Sequence, residues 1–345
     1  MRPTRVRSWI AERVPVSLRS LEQPLREELP VHLRVWMGWL GGTPLLLFVL
    51  QVLTGILLTF YYRPEVTHAY GSIRHITYDV RFGWLVRGIH RLGAQLMVIT
   101  VLLHIIRVFV TRAYRRPREL TWIFGAVMFT LTLGFCFTGY SLVYDSLSYW
   151  ATTVGTNLLA SIPLIGPSLL WIVRAGPDVN PDTLGRFYNV HVGVIPTVFT
   201  IVLALHIWMV RLHGVARLES APRRETYFFF PEHVLRETAM ALLIVLGLVL
   251  WSMVHPPGLG APADPAVTPS HIRPEWYFYP SYRWLKMVPM QAGIWTTVAF
   301  IVGMVFWPWI DAAIEKRAPG RRIGLWLGAT AFLFTLYLLI SEAVS

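Results

Sequence analysis

The chain has 345 residues, 54% of them hydrophobic and only 14% charged. Soluble domains carry roughly a quarter of charged residues, so the composition excludes an ordinary water-soluble fold and points to a bilayer. The formal net charge of +12 would suit nucleic acid, but where the charges fall assigns them to membrane topology instead.

Residues 1–36 open the chain with an Arg-rich stretch. No apolar core region follows it, so it does not read as a cleavable signal peptide. From Val6 to Ile10 onward it is expected to lie on the membrane surface as an amphipathic segment. Seven apolar runs follow, near residues 40–61, 84–110, 120–140, 188–210, 237–254, 292–309 and 323–341. Each approaches the ~20 residues needed to cross a bilayer core. The predicted fold is therefore an all-α membrane protein with seven transmembrane helices. Residues 37–215 form an N-terminal four-helix bundle, and residues 216–345 form a three-helix C-terminal part.

The basic residues follow the alternation that seven crossings would create. Residues 1–36, 111–119, 211–236 and 311–322 hold twenty Lys and Arg, whereas residues 61–87, 141–187 and 255–290 hold nine. The positive-inside rule then places the N-terminus in the cytoplasm and the C-terminus on the opposite side. The two long connections, 141–187 and 255–290, emerge together on that opposite side, where they can roof one site.

Four of the eleven histidines lie within predicted spans, where ionisable groups are costly and are functional candidates by default. His90 and His104 are 14 residues apart on the second span, and His191 and His206 are 15 apart on the fourth. On a regular helix those separations correspond to turns of about −40° and about +60°, so each pair shares one face with its members ~21 Å apart. Two such helices side by side suit two bis-histidine haems stacked across the membrane. Gly41 and Gly55 on the first span, and Gly125 and Gly139 on the third, repeat the 14-residue spacing and leave room for a flat macrocycle. Arg87 and Arg107 stand just beyond His90 and His104, toward opposite surfaces, where haem propionates would point. The remaining histidines, His32, His68, His75, His213, His233, His255 and His271, fall outside the spans and read as surface or loop residues. The single cysteine, Cys136, excludes an internal disulfide and a Cys-x-x-Cys-His attachment of haem.

With these residues the chain resembles the cytochrome b family of respiratory and photosynthetic quinol oxidases. The stretches that carry the resemblance are Gln51 to Gly55, Ala160 to Gly166, Thr183 to His191 with Pro196, and above all Pro274-Glu275-Trp276-Tyr277. The 15-residue step from His191 to His206 and the run Phe60-Tyr61-Tyr62-Arg63-Pro64 look like the photosynthetic cytochrome bf type, with its two polypeptides fused. The resemblance implies a Q-cycle, in which quinol is oxidised on the non-cytoplasmic side and one electron goes to a Rieske iron–sulfur protein. The other passes through the haem of His90 and His191 to that of His104 and His206, and then to a quinone, with protons moved across the membrane. It also implies a c-type cytochrome or equivalent acceptor, contact with membrane lipid, a homodimeric complex and residence in a bacterial cytoplasmic membrane.

Residue by residue, the resemblance makes Glu275, Tyr277 and Tyr140 the catalytic candidates at the oxidation pocket. Glu275 would accept a proton there. Arg236, Glu237 and Arg211 are the candidates for quinone reduction. Three departures stand out. Trp39 precedes Leu40-Gly41-Gly42 where the photosynthetic type has a cysteine anchoring an extra haem, so only two non-covalent b-type haems are expected. Val143-Tyr144 replaces a Pro-Trp pair beside the oxidation pocket, and Arg236-Glu237 stands where relatives carry Lys-Asp. A di-haem anchor subunit of a dehydrogenase or hydrogenase is the competing reading, but it would not need Pro274 to Tyr277 or three further spans. A proton-relaying transporter would not need the matched spacings.

Overall fold

The computed structural model describes residues 12–13, 28–34, 38–216, 225–269 and 272–345. Most of the segment expected on the membrane surface, and His271, lie outside the described residues. The described chain is predominantly helical. Helix α1 spans Trp39–Thr59, α2 Ala69–Tyr78, α3 Gly83–Val110 and α4 Glu119–Ser141. Then come α5 Ser146–Ala160, α6 Gly166–Arg174, α7 Pro181–Asn189 and α8 Ile195–His213. The C-terminal part contributes α9 Val234–Val254, α10 Tyr279–Met287, α11 Met290–Val305, α12 Trp307–Arg317 and α13 Ile323–Ala343.

Among the described residues, six helices are long and apolar enough to cross a membrane, and a seventh span exists if the bent pair α11–α12 counts as one. That pair turns by 75° at Phe306, where the expected straight run over 292–309 breaks. Pro308 lies in the first turn of α12, and proline there tolerates a new helix start but not a continuous ladder. The spans present bulky apolar side chains outward, including Leu53, Leu242, Leu243, Leu333 and Trp326. An apolar surface of that extent suits lipid rather than water.

The fourth span is not a regular helix. Between α7 and α8, residues Val190–Val194 form a π-turn, with the Ile195 N–H bonded to the Val190 carbonyl. Pro196 follows, and it has no N–H to continue an α-helical ladder. A π-turn accommodates one extra residue without advancing the helix face. The 15-residue step from His191 to His206 therefore behaves as a 14-residue step, matching His90 to His104. This difference between the spacings is thus absorbed locally.

The chain divides into two compact units. The first comprises residues 1–53, 88–130 and 198–255, and the second 54–87, 131–197 and 256–345. In the first, Leu47, Met97, Val98 and Met209 are buried, and the Phe48 and Phe199 rings meet at 4.4 Å. A short antiparallel pair joins β1 (Glu28–Pro30) to β2 (Thr226–Phe228), with Leu29 opposite Tyr227. Arg118 donates to the carbonyls of His213 and Gly214 at 3.0 and 3.3 Å.

In the second unit, Ala69, Leu142, Tyr144, Tyr149, Leu184 and Phe187 form an apolar core beneath the connecting segments. The connection expected over 141–187 is itself helical, because each helix has a local start signal. Asp145 caps α5 by accepting the Ser148 N–H at 2.9 Å. Asn180 and Thr183 cap α7 reciprocally, with Pro181 in its first turn. The buried Arg174 guanidinium ties α6 to the Thr153 carbonyl and the Asn157 side chain of α5, both at 2.9 Å.

Candidate functional site

In the first unit, His104 on α3 and His206 on α8 face each other with ring centroids 6.5 Å apart and planes crossing at 70°. A metal bonded to both imidazoles at ~2 Å, with each ring centre ~1 Å behind its nitrogen, would hold centroids ~6 Å apart. The observed separation fits one metal between the rings. No group of three or more His, Cys, Asp or Glu suited to a metal occurs among the described residues. Two facing imidazoles are a ligand pair that a haem iron takes.

The outer nitrogens of His206 and His191 are held in the manner of metal-ligating histidines. His206 Nδ1 lies 3.0 Å from the Thr121 carbonyl oxygen. A carbonyl only accepts, so Nδ1 carries the proton and the Nε2 lone pair is available to a metal. In the second unit, His191 Nδ1 lies 3.0 Å from Thr138 Oγ1. That hydroxyl already donates to the Gly134 carbonyl at 2.8 Å, so it accepts from His191 and fixes the same tautomer.

Three of the four spaced glycines lie against these imidazoles. A Cβ at Gly41 would sit 3.9 Å from His104 Cε1, one at Gly125 3.6 Å from His206 Cε1, and one at Gly139 2.7 Å from His191 Cε1. The contact is with the ring, a detail that the expectation of room for a macrocycle did not contain. Gly55 belongs to the second unit, as does His191, whereas His90 belongs to the first.

The two arginines differ. Arg107 has its Nε buried without a hydrogen-bond partner among the described residues, a donor in want of an anion. Arg87 is buried and donates to Thr77 Oγ1 and to the Pro257 and Gly258 carbonyls at 3.1, 2.8 and 3.0 Å. It therefore holds the start of the 256–275 segment.

The Pro274–Tyr277 segment lies in the second unit. Trp276–Phe278 forms a short 3₁₀ turn, and the Glu275 carbonyl accepts the Phe278 N–H at 2.9 Å. The Glu275 side chain does not cap that turn. Its charge acts on Tyr140, Cys136 and Tyr277. Tyr277 hydrogen-bonds Cys136, and its hydroxyl is held well above the usual tyrosine range by burial first, then by Cys136 and Glu275. Phe137 meets Tyr140 edge-on at 5.7 Å and Phe278 at 6.3 Å, giving an apolar wall beside three polar groups. Tyr144 belongs to the buried cluster against which Phe137 packs. It sits at φ 54° with its ring buried in the core near Tyr149.

In the first unit, the Arg236–Glu237 pair separates. Arg236 donates to Glu232 and to the Arg34 carbonyl, both at 3.3 Å, in an exposed position. The Glu237 carboxylate instead packs into the Gly42 notch, where a Cβ would be 2.2 Å from Oε2. Its Oε1 is buried without a hydrogen bond among the described residues and lies 3.6 Å from His233 Nε2. The Tyr227 hydroxyl is 2.9 Å from His233 Nδ1, and burial pushes that phenol up to about 12, so it stays a donor. Tyr227, His233 and Glu237 thus form a polar chain that sequence reading missed. The available signal was His233 and Glu237 four apart on one helix face. Arg211 lies over the Phe229 ring at 4.7 Å.

The cytochrome b/b6/petB family profile matches residues 26–214, and the cytochrome b (C-terminal)/b6/petD profile matches residues 262–343. The chain is 35% identical over 328 residues to a cytochrome bc complex cytochrome b subunit of Chlorobaculum thiosulfatiphilum, covering 91% of this chain and 76% of that one. It is 39% identical over 213 residues to cytochrome b6 of Acaryochloris marina, covering 62% of this chain and 98% of that one. Among solved structures, one titled hyperthermophilic respiratory Complex III matches with a TM-score of 0.76 and 26% identity, covering 98% of both chains.

Proposed function

The chain belongs to the cytochrome b/b6 family, and on that premise we propose that it is the di-haem, quinol-oxidising membrane subunit of a bc-type complex. It couples quinol oxidation at the Glu275 segment to quinone reduction near Glu237, with protons released on one side of the membrane and taken up on the other. Its partners are a Rieske iron–sulfur protein and a c-type cytochrome or similar acceptor, in a dimeric complex of the bacterial cytoplasmic membrane.

The observation that carries this reading is the facing of His104 and His206 at 6.5 Å. We assign these two to one b-type haem and His90 with His191 to the other. When bound, the haems supply reversible one-electron chemistry within the membrane. Thr121 and Thr138 orient the His206 and His191 rings, so that Nε2 of each points its lone pair at a metal. Arg107 offers its donors to a propionate. Arg87 serves the other haem in the same way, and its donors to Thr77 and two carbonyls support a positioning role for the 256–275 segment as well.

At the oxidation site, Glu275 receives a proton from quinol, and Tyr277 and Tyr140 hold the quinol oxygen by hydrogen bonds. Phe137, Trp276 and Phe278 exclude water, which keeps the released protons on the Glu275 route. At the reduction site, Glu237 delivers a proton to quinone, resupplied through His233 and Tyr227. Arg211 and Arg236 supply positive charge around it. The test is steady-state quinol:cytochrome c reductase activity of the purified complex. A di-haem anchor subunit would show haem absorption and no such activity.

A further inference from the structure

Apart from the sites above, residues 272–345 line a cavity of about 330 Å³, bounded by Arg273, Tyr282, Arg283, Lys286 and Glu342. Three cations line it together with Glu342 and Ser345. Glu342 is fully buried and takes the Lys286 ammonium at 2.6 Å, with Arg283 Nη1 at 3.8 Å. Arg283 Nε is buried without a hydrogen-bond partner among the described residues. Such donors are costly unless an acceptor is supplied.

The position of the cavity narrows the acceptor. Glu342 lies in the last turn of α13, so the cavity opens where an apolar span meets water. Lipid headgroups lie at that level, and the guanidinium fork matches their phosphate oxygens. Leu333, Tyr337 and Ile340 of the same helix are exposed and offer an apolar surface to acyl chains. A cavity of this volume lies in the range of small-molecule sites and exceeds what a lone ion requires.

We propose that this cavity seats the phosphate of an anionic phospholipid, with Arg273 and Arg283 as its donors. Lys286 is held by Glu342 and stacks its ammonium over the Tyr282 ring at 4.5 Å. The Tyr282 hydroxyl donates to the Ile272 carbonyl at 2.9 Å, which anchors the chain two residues before Pro274. A bound headgroup therefore braces α10 and the chain at Ile272 that leads into the Glu275 segment. This assignment is independent of the haem and quinone assignments.

The test uses the whole complex in nanodiscs of phosphatidylcholine, with or without phosphatidylglycerol, and follows backbone hydrogen exchange over Tyr279–Met287. Phosphatidylglycerol should slow exchange there about tenfold, and Arg273→Gln should remove the effect while leaving the Lys286–Glu342 pair in place. Inorganic phosphate added to phosphatidylcholine discs separates the two sources of the group. Slowing by phosphatidylglycerol alone supports the lipid. Equal slowing by inorganic phosphate overturns the lipid assignment, and equal exchange in wild type and Arg273→Gln overturns the site.

Discussion

Gly139 and His191 stand so close that a Cβ on the glycine would sit 2.7 Å from the imidazole Cε1. A free imidazole can swing aside, but one fixed by a metal on Nε2 and by Thr138 on Nδ1 cannot. We expect Gly139→Ala to strain the loaded site by about 1–3 kcal/mol, the usual cost of overpacking. Haem content per chain and redox titration should show loss or displacement of the His90/His191 component. Gly125→Ala, whose Cβ would stand at 3.6 Å, should keep both components. Equal behaviour of the two variants would remove the special role of Gly139.

Glu275 is the residue we place at the proton-accepting step. Glu275→Gln should leave assembly and both haems intact and slow quinol oxidation about tenfold, or ~1.4 kcal/mol of barrier. The deficit should vary with pH, since glutamine cannot change protonation. Normal turnover in the assembled variant would take Glu275 off the proton route.

The quinone-reduction site separates two neighbours. Glu237 is directed into the Gly42 notch, while Arg236 is engaged with Glu232 and Arg34. Glu237→Gln should slow reoxidation of the reduced cytochrome by added quinone about tenfold, whereas Arg236→Gln should change it about twofold or less. His233→Ala should resemble Glu237→Gln. The reverse ranking of Arg236 and Glu237 would contradict the polar chain from Tyr227.

The haem complement follows from Trp39 and the lone Cys136, which is buried within α4. Acidified acetone should extract all haem from this polypeptide, and a denaturing gel should show no haem stain at its mass. A stain that survives extraction would refute purely non-covalent binding.

Much of this was legible in the sequence because lipid enforces long, uniform apolar helices. Six of the seven hydropathy runs coincide with single apolar helices of spanning length, and the run over 292–309 coincides with a pair broken by 75°. Hydropathy averages over a window and is blind to direction, so only Pro308 marked the bend. The 14- and 15-residue histidine spacings were visible, but the π-turn that reconciles them depends on backbone carbonyls freed before Pro196. The three-residue strands at Glu28–Pro30 and Thr226–Phe228 pair across nearly 200 positions and carry no local pattern strong enough to read. His233 reads as a surface residue in the sequence because its partners, Tyr227 and Glu237, flank a break at Phe230, whose φ of −112° and ψ of 134° are extended.

The central claim is the pairing of histidines across helices, and redox-titrated optical spectra of four alanine variants test it most directly. His104→Ala and His206→Ala should abolish the same spectral component, and His90→Ala and His191→Ala should abolish the other. Loss of one and the same component in His90→Ala and His104→Ala, which lie on a single helix, would contradict the pairing.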